Sequence, residues 1–291
     1  MILQESSQNK KKSAIIIVLF FIFITLLSSV LCYAFFIDNI YVSLISSIGV
    51  SLLLTCIAYK NCSTMILTMS NAILATDEKY NELNNLLENM SIASGLPKPK
   101  LYVIEDKALN AFATGRNSKE AIICFTTGLI NKLDKYELEG VMAHEMSHIK
   151  NNDILLATIA SVFVGFVLML ADFMRYKIIF SDNNDSENKS KNILRIIAII
   201  LLIISPIFAI LMQMALSRRR EFLADSTAIE LTRNPEGLKN ALIKLRDDTS
   251  TLKSQNRATA PLYISNPFKG KNLFSTHPPI EDRIKALEHI N

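Results

Sequence analysis

The stretch His144-Glu145-Met146-Ser147-His148 is followed, after six further residues, by an apolar run from Leu155 to Leu170. On a helix, His144 and His148 lie one turn apart on the same face. Both imidazoles can then reach one Zn²⁺ at about 2.0–2.1 Å. Glu145 borders the same face, where a carboxylate can act as general base on a metal-bound water. The sequence therefore predicts two zinc ligands and a base beside a membrane segment.

The flanking residues also indicate a helix. Asp134 and Glu137 have the spacing of a capping box, and apolar side chains recur between them and the motif. A five-residue pattern occurs by chance, so an ordinary helix that carries two histidines is the alternative. Against it, the chain has only four histidines, and two of them stand at ligand spacing. Histidine and glutamate near a membrane are also costly unless they are paired or bind a metal.

A catalytic zinc needs a third protein ligand. At about 100° per residue, Asp153 points away from the histidine face and is a poor third ligand. Position 154 is isoleucine, so no third histidine follows as in metzincins. The best candidate is Glu221, which stands four residues before Asp225. One of these carboxylates can bind the metal while the other accepts the N–H of a ligating histidine. The alternative is a solvated acidic pair that follows the basic run 218–220.

The composition indicates a membrane protein. The chain has 291 residues, of which 50% are hydrophobic, and its mean hydropathy is +0.27. These values are too apolar for an ordinary soluble domain. Four runs approach the length of about 20 apolar residues that spans a bilayer: 14–37, 42–59, 155–174 and 193–216. We expect four transmembrane helices; a cleaved leader at the first run is the alternative, although the closely following second run favours a hairpin.

The positive charges predict the orientation of these helices. Lys10 to Lys12, Lys60, Lys150 and Arg218 to Arg220 all fall on one side of the membrane if there are four spans. Both termini and the motif are then cytoplasmic. Because the third and fourth spans form a hairpin, the helix with Glu221 returns to the face that carries the motif. This even number of crossings supports Glu221 independently of any motif.

The expected architecture is mainly α with a small β-sheet, in which the second hairpin splits a cytoplasmic, zincin-like α+β domain. The expected segments are a tail and hairpin (1–60), the first part of the domain (61–154), the second hairpin (155–216) and the second part of the domain (217–291). Within the domain we expect a helix at 77–94, strands at 100–104, 110–114 and 121–126, and a final helix at 280–290. The strand 110–114 is a candidate edge for binding an extended peptide, with a plain hairpin as the alternative.

Two further residues are candidates for stabilising an oxyanion. His277 precedes Pro278-Pro279 at a helix start, and Arg283 follows six residues later. The alternative, a turn histidine and a surface arginine, is favoured by the residues alone. Four cysteines without a C-x-x-C pair are typical of a reduced compartment. No basic stripe with interleaved aromatic residues indicates nucleic acid.

Taken together, these motifs resemble the HtpX family, bacterial relatives of the CAAX-prenyl endopeptidases. The resemblance rests on four stretches: Asn110-Ala111-Phe112-Ala113-Thr114-Gly115, 137–148 with Asn151 and Asp153, 217–225, and Ser275-Thr276-His277-Pro278-Pro279 with Arg283. It covers nearly the whole chain. No departure occurs at the metal or base positions.

The resemblance implies a multi-pass protease of the bacterial cell membrane that clears damaged or misassembled membrane proteins under stress. It implies one zinc per chain, bound by the matches to His144, His148 and Glu221. It further implies that Glu145 is the base and that Asp225 orients a ligand histidine. His277 and Arg283 would stabilise the transition state, and Asn110, Ala111, Phe112 and Ala113 would border the substrate cleft.

The expected partners are membrane-protein or unfolded polypeptide substrates and the lipid bilayer, without nucleic acid; the oligomeric state is left open. Two other classes remain as alternatives. One is a zinc-binding membrane scaffold without proteolytic activity, which the presence of Glu145 and a third ligand disfavours. The other is a soluble secreted metalloprotease, which the three later apolar runs disfavour.

Overall fold

The computed structural model describes residues 2–35, 37–180, 196, 199, 218–253, 256, 258–267 and 278–288. These residues form nine α-helices and one small sheet. The helices are α1 (Ile2–Phe35), α2 (Ile40–Met69), α3 (Asn81–Ser94), α4 (Thr127–Lys132), α5 (Lys135–Lys150), α6 (Asp153–Phe180), α7 (Arg218–Thr232), α8 (Pro235–Asp247) and α9 (Ile280–Glu288). The strands are β1 (Ile73–Leu74), β2 (Lys100–Ile104), β3 (Ala111–Thr114) and β4 (Ile122–Thr126). A mainly helical fold with a small sheet is confirmed.

Among the described residues, two helices are long and apolar enough to cross a membrane: Lys11–Tyr33 within α1, of mean hydropathy 3.0, and Ile40–Met69, of mean hydropathy 2.1. A third candidate span arises only if α5 and the part of α6 up to Met169 are taken together, and these two helices are bent by 87°. The predicted fourth span, 193–216, lies largely outside the described residues. Length and composition thus support two or three of the four predicted spans.

The ends of the first two helices differ from the prediction. α1 begins at Ile2 instead of residue 14, so Lys10 to Lys12 belong to the helix. α2 continues to Met69, which places Lys60 inside it and not after it. The physical reason is that lysine favours a helix about as well as leucine does, and that Cys62, Ile66 and Leu67 in the extension of α2 are buried and so held by packing. The end of an apolar run therefore does not mark the end of a helix.

Small and aromatic side chains hold the apolar helices together. In α2, Ser43, Ser47 and Ser51 are buried at intervals of four residues, a spacing that lets two helices approach closely in a membrane. Phe20 of α1 stacks on Phe163 of α6 with ring centroids 3.6 Å apart and an interplanar angle of 3°. The helix that follows the His-Glu motif thus packs directly against the first helix of the chain.

The sheet has the strand order β1-β2-β4-β3. β2 and β4 are parallel, whereas β3 runs antiparallel to β4, with Ala113 opposite Ile123. β3 is therefore an edge strand, as the sequence predicts for 110–114. The three predicted strands reappear within one residue of their expected bounds.

Local sequence signals fix the position of α5. The Asp134 side chain accepts hydrogen bonds from the backbone of Tyr136 and Glu137. The Glu137 side chain in turn accepts from the Asp134 N–H, which completes the predicted capping box. Gly140 then lets α8 approach, because a Cβ at this position would lie 2.5 Å from the Leu238 nitrogen. The close crossing fixes α5 against α8.

Candidate metal centre

A sharp corner joins α5 to α6. α5 ends at Lys150, α6 begins at Asp153, and Asn152 between them has φ of 56°, a left-handed conformation that asparagine tolerates better than most residues. The corner returns Asp153 toward the preceding helix, so that its Oδ2 lies 3.2 Å from His148 Nδ1. A continuous helix would have pointed Asp153 away. The break therefore makes Asp153 a partner of the histidine.

Three candidate ligand atoms converge on one point. His144 Nε2 lies 3.2 Å from His148 Nε2. The Glu221 carboxylate of α7 approaches both rings, at 3.7 Å from His144 Nε2 and 3.8 Å from His148 Nε2. Tetrahedral zinc with bonds of about 2.0–2.1 Å separates neighbouring ligand atoms by about 3.3 Å. Among the described residues, these three form a group that can hold a metal ion.

The Nδ1 atom of each histidine lies on the side of the ring away from the converging Nε2 atoms, and its contacts explain why a cation fits between the two rings. His144 Nδ1 lies 2.9 Å from Asp225 Oδ1, as His148 Nδ1 lies beside Asp153. When the Nδ1–H of each neutral ring donates to its carboxylate, the lone pair of the ring lies on Nε2. Two lone pairs then face each other across 3.2 Å. A bound cation turns this repulsion into attraction, so the donor set fits zinc.

Arg283 lies behind His144 and is fully buried, although it stands in a short polar helix. Its guanidinium donates to both oxygens of Asp225, through Nε at 2.9 Å and Nη2 at 2.6 Å. Nη1 donates to the Ile264 carbonyl at 3.2 Å. The arginine therefore holds the carboxylate that holds His144.

Burial and the neighbouring polar groups shift the pKa values of Asp225 and His144 in opposite directions. Burial raises the pKa of Asp225, but the charges of Arg283 and His144 outweigh it and lower that pKa to about 2. Burial and Arg283 lower the pKa of His144, whereas hydrogen bonds to Asp225 and Glu221 raise it to about 9. The ring thus sits where the protein strongly favours a cation, either a proton or a metal ion.

Glu145 lies in the same buried cluster and is 1% exposed. Burial raises the pKa of its carboxyl group, and the two histidines only partly oppose this effect. A carboxylate with a raised pKa is a better proton acceptor near neutral pH than a surface glutamate. The environment therefore suits Glu145 to taking a proton from water.

A small cleft opens beside these groups, with a cavity of about 20 Å³. This is room for about one water molecule. The lining residues are Ala113, Glu145, His148, Asp153, Ile154, Ala157, Arg220, Glu221, Pro261 and Leu262. Arg220 is a charged lining residue that the sequence motifs did not indicate as part of the site. Its guanidinium lies 3.8 Å from both Asp153 Oδ2 and Glu221 Oε1.

The four residues of the predicted substrate strand lie in different places. Ala113 lines the cleft. Phe112 is buried with its ring 5.1 Å from that of Tyr263, and the Asn110 side chain donates to the Ser265 carbonyl. The Ala111 carbonyl accepts from the backbone of Ile264. His277 lies outside the described residues.

Comparisons with known proteins agree with this geometry. Residues 77–291 match the model of peptidase family M48. A protease HtpX homolog of Dictyoglomus thermophilum is 48% identical over 79% of this chain and 76% of its own length. A protease HtpX homolog of Lactobacillus helveticus is 39% identical over 92% of this chain and 93% of its own length.

A solved structure supports the fold. The crystal structure of S. mikatae Ste24p is similar with a TM-score of 0.50 at 19% identity, over 98% of this chain and 66% of that chain. Polypeptides are the substrates of a protease, and the apolar α1 and α2 fit a membrane protein. A family match over most of the chain, joined to a centre that suits zinc, establishes that this protein belongs to peptidase family M48 as an HtpX-type, zinc-dependent membrane metalloprotease.

Proposed function

We propose that this protein cleaves damaged or misassembled membrane proteins at the cytoplasmic face of the bacterial cell membrane. The observation that carries the proposal is the corner at Asn151 and Asn152, which joins the His-Glu helix directly to the apolar α6. α6 in turn packs on α1 through Phe163 and Phe20. A peptide-cutting site held this close to membrane helices can reach polypeptides that emerge from the bilayer.

The proposed topology has four spans with both termini in the cytoplasm. The second hairpin then divides the protease domain into residues 61–154 and 217–291. The contact between His144 of α5 and Glu221 of α7 supports this arrangement, because the two helices precede and follow the hairpin and still meet. The basic residues 218–220 at the start of α7 favour the same side.

In the proposed mechanism, His144, His148 and Glu221 hold zinc. When bound, zinc supplies Lewis acidity that activates water and polarises the scissile carbonyl. Glu145 accepts the proton of the attacking water in the cleft and passes it to the leaving amine. Asp225 and Asp153 keep the two histidine rings oriented through their Nδ1 atoms.

The substrate is proposed to extend the sheet at β3. The Asn110 carbonyl accepts from the Thr126 backbone in β4. Because the ladder alternates, the backbone groups of Ala111 and Ala113 point away from β4. The Ala111 carbonyl already accepts from Ile264. Ala113, which lines the cleft, is therefore the residue that offers its N–H and C=O to an extended peptide.

Arg220 is proposed to stabilise the oxyanion in place of Arg283. The guanidinium of Arg283 is committed to Asp225 and to the Ile264 carbonyl. Arg220 lines the cleft with 12% of its side chain exposed. Within the described part of the chain, its Nε and Nη1 atoms make no hydrogen bond. A half-buried cation with unused donors in the cleft beside Glu145 and Glu221 would suit the developing negative charge.

Arg220→Met is accordingly expected to lower kcat by about 10²–10³-fold, the cost of removing one oxyanion donor, while zinc stays bound. Peptide turnover and zinc content of the purified variant give the two values. Arg219→Met is the matched control, because it removes an exposed neighbouring positive charge. An unchanged kcat in Arg220→Met would assign the oxyanion to another group.

Vesicles test the activity and its orientation together. Inverted membrane vesicles, with the cytoplasmic face outward, are expected to cleave an added unfolded polypeptide. A chelator should abolish this cleavage and added zinc should restore it. Right-side-out vesicles should not cleave until detergent opens them. Zinc binding without cleavage on either side would instead favour the membrane scaffold.

A further inference from the structure

The N-terminal part of α1 contacts the corner that carries the metal centre. The Asn9 side-chain amide donates through Nδ2 to Asp153 Oδ1 at 2.5 Å and to the Asn151 carbonyl at 3.2 Å. Asn151 caps the end of α5, and Asp153 begins α6. One amide group therefore clamps both sides of the corner.

The carboxylate that Asn9 contacts is shared with a ligand histidine. Asp153 is 1% exposed, with Oδ1 on Asn9 and Oδ2 at 3.2 Å from His148 Nδ1. A buried carboxylate can rotate about its last bond unless both oxygens are held. The amide of Asn9 holds one oxygen, so the other stays directed at the histidine ring.

From this geometry we infer that Asn9 is a positioning residue for the zinc site, acting through Asp153 on His148. The inference rests on the proposed assignment of His148 as a ligand. Partners that orient a ligating histidine typically change metal affinity by about 10–100-fold when they are removed. Asn9 stands one contact further out, and we expect an effect near the lower end of that range. α1 would then serve both as a membrane anchor and as a support for the metal centre.

Zinc affinity measures this role without relying on catalysis. In full-length protein purified in detergent, competition with a chromophoric chelator should show about tenfold weaker zinc binding in Asn9→Ala. Asn9→Asp should weaken it further, because a second carboxylate would face Asp153. Ser13→Ala is the matched control, since among the described residues the Ser13 hydroxyl donates to the Asn9 backbone carbonyl within α1 and not to the corner, so this variant should bind zinc like the wild type.

A double substitution tests whether Asn9 acts on the zinc site through Asp153. Asn9→Ala added to Asp153→Ala should weaken zinc binding no further than Asp153→Ala alone, because the amide then has no carboxylate to hold. The absorption spectrum of the Co²⁺-substituted protein should shift in Asn9→Ala and not in Ser13→Ala. This spectrum reports the ligand geometry even if the variant is less stable.

Two results separate the inference from the proposed function. Wild-type zinc affinity and an unchanged Co²⁺ spectrum in Asn9→Ala, with weaker binding in His148→Ala, would overturn the role of Asn9 alone. Undiminished zinc affinity in His148→Ala would overturn the ligand assignment on which both proposals depend.

Discussion

Glu145→Gln should keep its zinc and lose peptide cleavage, with kcat lower by about 10²–10⁴-fold, the range for a general acid–base group. Glutamine has nearly the same shape as glutamate but does not accept a proton from water. The side chain is 1% exposed, so the amide would occupy the same buried position. Since Glu145 is not among the three converging ligands, the metal content should not change.

The measurement compares kcat, zinc content and substrate capture in the same preparation. Glu139→Gln is the matched control, because it neutralises a half-buried glutamate earlier in α5 and should cleave normally. The inactive variant should also retain its natural substrates under membrane stress, and mass spectrometry of the captured proteins would identify them. Normal proteolysis by Glu145→Gln would exclude Glu145 as the base.

Features set by neighbouring residues were predictable from the sequence. The capping box at Asp134 and Glu137 forms as expected, because both partners lie within one turn. The bounds of β2 agree with the expected strand at 100–104. The sequence also predicted that Glu221 would join the two histidines, from the expectation of an even number of membrane crossings between them, and the three residues do converge.

The position of Asp153 depends on the break between α5 and α6, and the periodicity of the sequence does not predict such a break. A continuous helix predicts that Asp153 points away from the histidines, whereas the left-handed residue Asn152 reverses the chain there. The Asn151-Asn152-Asp153 sequence contained a signal, since asparagine and aspartate favour turns. The sequence indicates Arg220 only as one charge in the basic run 218–220. Because Arg220 directly precedes the candidate ligand Glu221, the sequence did contain one indication that it lies near the cleft.

Burial of Arg283 also lay beyond sequence reasoning. A single arginine in a nine-residue polar helix is typical of a surface. Its interior position depends on a tertiary contact with Asp225, which lies 58 residues earlier in the chain. Only the fold brings the two charges together and turns an expected surface residue into the centre of a buried network.

Arg283→Met is therefore expected to destabilise the protein by about 3–5 kcal/mol, because it leaves the buried Asp225 carboxylate without the guanidinium that donates to both of its oxygens. The same change should weaken zinc binding by about 10–100-fold, since Asp225 then orients His144 less firmly. Denaturant unfolding in detergent and chelator competition measure the two effects. Lys285→Met, which removes an exposed cation from the same helix, should change neither quantity.

The pH dependence distinguishes loss of the ion pair from a simple packing defect. In the wild type the pKa of Asp225 is lowered to about 2 from an ordinary value of 3.8. The stabilisation from the pair is therefore complete above about pH 4 and is lost as the pH falls toward 2. Without Arg283, burial should raise the pKa of Asp225, and its protonation would relieve the penalty at a higher pH. The stability difference between wild type and Arg283→Met should thus narrow between pH 7 and pH 4, whereas a difference that stays constant over this range would show that the arginine acts by packing alone.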